Sequence, residues 1–95
     1  MYKVAAGIEK DLNDTVVKIV TFHFEVKNSK HDSQTIKIEI ANFLDDLDQL
    51  CMEIENFADS YGGVDRTAVS IDTEKLYSQW ESCAHALYCI ELPGQ

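Results

Sequence analysis

The chain carries no lysine or arginine between Ile38 and Asp65, few glycines, no cysteines in C-x-x-C spacing and no long apolar run. Each shortage removes a class of function. Cys51, Cys83 and Cys89 are odd in number and lack the spacing of a zinc ribbon, so neither a disulfide framework nor a structural zinc site is expected and the thiols read as reduced. No segment approaches the roughly 18 apolar residues of a membrane span, and the apolar run after Met1 is too short for a signal peptide. A cytoplasmic location follows as the expectation. The glycines form no phosphate loop, because Gly62-Gly63 reads as the end of a helix instead of its opening. Basic residues scattered singly argue against direct binding of DNA or RNA.

What remains is a chain of 95 residues with an ordinary apolar fraction of 45%, four Phe, four Tyr and one Trp. A domain of this size buries roughly two thirds of the surface its unfolded chain exposes, so residues 1–95 are expected to fold as a single domain without staples. No internal repeat, linker or low-complexity tract interrupts it. Charge is the unusual feature. Residues 1–40 hold six acids and six lysines, whereas residues 41–95 hold eleven acids against Arg66 and Lys75, which accounts for the whole net charge of -9. Such a surface repels nucleic acid and anionic lipid and steers basic partners toward it.

Local patterning points to an α+β fold. Tyr2, Val4, Ala6 and Ile8 alternate with less apolar neighbours, and the polar stretch 10–14 reads as a turn. Thr15 to Val26 is rich in β-branched and aromatic residues and reads as a second strand with a bulge near Ile19-Val20. After a loop over 28–34, Thr35 to Ile40 alternates cleanly as a third strand, completing an antiparallel three-stranded meander. Asn42 caps a helix whose stripe is Phe43, Leu47, Leu50, Ile54, Phe57 and Tyr61, with Asp45 and Asp46 in its first turn and Gly62-Gly63 as its stop. Thr67 to Ile71 reads as a short strand, and Asp72 caps a second helix with Leu76, Trp80, Cys83, Leu87 and Ile90 as its stripe. Tyr88, Ile90 and Leu92 also fit a short strand before Pro93-Gly94, so the end of that helix stays open. The order is βββαβα, with the helices on one face of the sheet.

The strongest candidate site is the acidic face of the first helix in that reading. At 100° per residue, Asp45, Asp48, Met52, Glu55 and Asp59 fall together opposite the buried stripe, with no cation on the same helix to balance them. The helix dipole accounts for Asp45 alone, and like charges at this spacing cost a few tenths of a kcal/mol per pair. Neighbouring positions lie about 5–6 Å apart, near the spacing of successive phosphates, so the row is able to imitate a nucleic-acid backbone. Met52 in its middle offers an adaptable apolar contact. The plain alternative is a solvated helix face kept soluble by its charge.

Other constellations are weaker. Glu81, His85 and Cys89 share one helix face and are all zinc-ligand types, but one helix seldom supplies a complete site and no fourth ligand is evident. Nothing in the sequence pairs Cys51 or Cys83 with a base. His23 and His31 read as ordinary surface histidines, and Trp80 as core. No catalytic set, metal or cofactor is expected. The leading reading is an acidic protein-binding module that occludes a basic surface, such as that of a nuclease or another nucleic-acid-binding protein, in the manner of an immunity or anti-defence inhibitor. The alternative is an assembly protein that forms a homodimer through a sheet edge, and a small enzyme with a cleft between sheet and helices ranks last.

Overall fold

The computed structural model describes residues 2–61 and 66–90. Three helices account for nearly all of them: α1 (Tyr2–Lys27), α2 (Ser33–Tyr61) and α3 (Arg66–Tyr88). No strand occurs among the described residues, so the α+β reading is wrong and the fold is an all-α three-helix bundle.

The correction is largest in the first 40 residues. The supposed strands over Tyr2–Glu9 and Thr15–Val26, and the turn between them, are one helix of 26 residues. Its buried residues are Ile8, Leu12, Ile19, Phe22 and Val26, spaced by three, four or seven, with Ala5 and Val16 packed against them. Burial of that stripe overrides the β preference of Val16, Val17, Ile19 and Val20. Leu12, assigned to a turn, is fully buried, and its polar neighbours Lys10, Asp11, Asn13 and Asp14 are the outer side of a helix. The supposed third strand, Thr35–Ile40, forms the first turns of α2.

α2 therefore begins nine residues before Asn42, which is an exposed mid-helix residue and not a cap. The cap is Asp32, whose Oδ1 accepts the Thr35 backbone N–H at 2.7 Å while its carbonyl accepts the Ile36 N–H at 3.0 Å. The stripe expected for this helix holds: Phe43, Leu47, Leu50, Ile54 and Phe57 are buried and Tyr61 is half-buried. The Gly62-Gly63 stop lies outside the described residues. In α3 the proposed strand Thr67–Ile71 is helical, and Asp72 sits inside the helix instead of capping it. Leu76, Cys83, Leu87 and Ile90 are buried as expected and Trp80 half-buried. The helix ends at Tyr88, whose side chain faces water, and Leu92 and Pro93-Gly94 lie outside the described residues.

α1 ends in a Schellman motif. Lys30 N–H reaches Glu25 C=O and Ser29 N–H reaches Val26 C=O, each at 3.1 Å, with Ser29 in the left-handed region at φ 58°. The short turn that follows makes α2 antiparallel to α1, with Phe22 against Phe43 at 5.8 Å between ring centroids. α3 runs parallel to α1. Lys75 and Gln79 meet Glu9 at 3.5 and 3.2 Å, and higher up the Cys83 thiol meets the Leu12 carbonyl at 3.4 Å. Trp80 donates its indole N–H to the Leu47 carbonyl at 2.7 Å and fastens α3 to α2. The result is a rod of 51 × 19 × 16 Å in which α1 and α2 each pack more extensively on α3 than on one another.

Candidate functional site

Asp45, Asp48, Met52, Glu55 and Asp59 are all exposed and lie along the outer side of α2, as the 100° spacing requires. Their setting differs from the expected one in one respect. Because α2 starts at Ser33, Asp45 and Asp46 lie three turns inside the helix, beyond the reach of its dipole. That removes the structural account of the first acid in the row. Among the described residues the ion pairs are Lys10–Asp14 and Lys75–Glu9, with His31–Glu25 joining them only when the imidazole is protonated, and none involves a carboxylate of α2. Met52 stands in the middle of the row with 60% of its surface exposed. The face extends over Asp45 to Asp59, about 21 Å of helix at 1.5 Å per residue.

On the side of α2 nearest α3, the Cys51 thiol lies 3.7 Å from a Glu55 carboxylate oxygen. Burial first, and then the Glu55 and Asp48 carboxylates, push the thiol above its ordinary range, which disfavours the nucleophilic thiolate. Tyr77 of α3 faces the same group, its hydroxyl pushed up by burial and then by Cys51, Glu55 and Asp59. Cys83 is buried in the core and raised by that burial. Neither thiol is set up as an attacking group.

Of the weaker constellation, His85 and Cys89 come together, with Nε2 and Sγ 3.7 Å apart, and Glu81 is exposed on the same helix. Among the described residues no three His, Cys, Asp or Glu side chains are arranged to hold a metal ion. The histidines expected at the surface are both half-buried. His31 packs on the Phe22 ring at 4.9 Å between centroids and reaches Glu25 at 3.4 Å, folding the turn back onto α1.

A second feature was not expected. On the side away from α3, α1 and α2 leave a run of three hollows between them. The first and second share Asp11 and Glu53, and the second and third share Lys18 and Asp46, so the three form one groove along the bundle. Its ends are apolar, with exposed Val4 beside buried Ile8 and Phe57 in one and exposed Val17 beside buried Phe22 and Phe43 in the other, and its middle is polar. The sequence signal for this groove is the seven-residue repeat Glu39, Asp46, Glu53 on α2, which the strand reading severed by assigning Glu39 to another element.

Among the described residues no helix is long and apolar enough to cross a membrane. Compared with known proteins, the chain matches no family model, no curated protein and no solved structure.

Proposed function

We propose that this protein is a binding module whose acidic α2 face engages a basic surface on a partner protein, and that it acts as an inhibitor by covering a site the partner uses for nucleic acid. The observation that carries the reading is the row Asp45, Asp48, Glu55 and Asp59, in no ion pair among the described residues and centred on exposed Met52; the first three lie outside the reach of the helix ends, and Asp59 stands in the last turn, where the dipole disfavours a carboxylate. Unbalanced carboxylates at helical spacing raise the rate of encounter with a cationic surface and set its orientation. A long rigid helix holds them in a fixed row. The sheet-edge dimer has no support among the described residues, which include no strand.

The test is capture from a native extract at low and high salt by wild type and by a variant in which Asp45, Asp48, Glu55 and Asp59 are all changed to lysine. The expected result is a basic protein retained by wild type, released by salt and absent from the variant. Equal capture by both, with the variant still helical and cooperative in melting, refutes the reading and leaves this face as a solvated one.

A further inference from the structure

We propose that the groove between α1 and α2 receives one amphipathic helix of a partner protein, with lysine or arginine along the edge that meets α2. The inference rests on the reading of the chain as a binder of basic proteins, and it places a second contact away from the outer α2 face. Three observations define the occupant. The groove lies where α1 and α2 pack least on each other, opposite α3, which is the position a fourth helix takes in a four-helix bundle. Its apolar ends are centred on Ile8 and Phe22 of α1, fourteen residues apart, so they are separated by about 21 Å, or four helical turns. An occupant of about 18 residues with apolar side chains near both ends spans that distance.

The walls supply the charge pattern. Glu39, Asp46 and Glu53 recur every seven residues on the α2 side, each followed three residues later by an amide, Asn42, Gln49 and Asn56, an arrangement like the flanking positions that select partners in coiled coils. No cation shares that wall. On the α1 side Lys3, Lys10 and Lys18 line the groove beside Asp11, Asp14 and Glu25, with Lys10 paired to Asp14, so the excess of negative charge comes from the α2 wall. Gly7 leaves open room at one end of the groove. It lies within α1 on the wall of the apolar end, and a Cβ placed there meets nothing within 4 Å. A mid-helix glycine weakens the helix, and nothing in this chain's own packing requires one here. A second copy of the chain is disfavoured as the occupant, since each copy carries a net charge of -9.

The test uses two synthetic helical peptides of about 18 residues, with leucines near both ends and either lysine or glutamate at every seventh position along one edge, and reads binding by fluorescence anisotropy. The lysine peptide should bind wild type in a salt-sensitive manner and the glutamate peptide should not. Gly7→Trp, which fills the apolar end, should weaken the lysine peptide about tenfold or more, and so should the combined Glu39→Lys, Asp46→Lys and Glu53→Lys. Compared at about 0.15 M salt, where the screening length is about 8 Å, the outer-face lysine variant should lose less affinity than the groove charge variant. Failure of wild type to bind the lysine peptide, or equal binding by wild type and both groove variants, overturns the proposal. Loss in the outer-face variant alone also overturns it while leaving the α2-face reading standing. If wild type sediments as a dimer and Gly7→Trp as a monomer, the occupant is a second copy and the partner helix is refuted. Should Gly7→Trp prove unfolded, the charge variant, which alters only side chains outside the core, decides by itself.

Discussion

Two residues beside the first turn show how local geometry sets measurable stability. Ser29 adopts a left-handed backbone at φ 58° to close the end of α1, a conformation that costs a non-glycine residue roughly 1–2 kcal/mol. Glycine removes that cost but adds freedom to the unfolded chain. Ser29→Gly should therefore stabilise the protein by about 0.5–1 kcal/mol, seen as a higher urea midpoint with unchanged slope. Asp32 caps α2, and its carboxyl is held below the ordinary value of 3.8, mainly by the Thr35 backbone N–H. A depressed carboxyl stabilises the fold above its unfolded pKa, and that contribution disappears as pH falls through the lower folded value. Asp32→Asn keeps a capping oxygen without the charge. Its melting temperature should fall below that of wild type above pH 3.8, with the gap closing under more acid conditions. A gap independent of pH would show that the charge is not what stabilises the cap.

At the scale of the element, one pair of isoleucines separates helix from strand. Ile36 and Ile38 would share a face in a strand, but in α2 Ile36 is 0% exposed and Ile38 53%. Ile36→Ala should cost about 2–4 kcal/mol by chemical denaturation, whereas Ile38→Ala should stay within about 0.5 kcal/mol. The same pair explains which parts of the fold were legible in the sequence. From Phe43 to Tyr61 the apolar residues fall almost only on the buried side, so the helical period stands out and the stripe reads correctly. In α1, Val17, Val20 and Phe24 are apolar yet exposed, Phe24 by 70%. They fill the gaps between Ile19, Phe22 and Val26 and disguise a period of 3.6 as β-branched density. The acidic row was legible because it lies on a helix that was found. The groove was not, because one of its walls was read as strands.

For the whole molecule, charge of one sign sets the conditions under which the bundle is most stable. Seventeen acids against eight cations repel one another across a rod only 19 × 16 Å in cross-section. Raising sodium chloride from about 0.01 M to about 0.5 M shortens the screening length from about 30 Å to a few ångströms. The melting temperature should rise over that range. A fall would mean that the ion pairs Lys10–Asp14 and Lys75–Glu9, screened by the same salt, outweigh the general repulsion.

The dependence of α1 and α2 on α3 also has a temporal side. A ribosome releases α1 and α2 first, and each helix is able to form within microseconds of emerging. The 23 residues of α3 take about one to five seconds more to make at typical rates of translation. Throughout that interval the two finished helices have only their slight mutual contact, and the apolar rows meant for α3 stand open to water. Slower translation across α3 should therefore lengthen the time for which the nascent chain is open to chaperones and proteases.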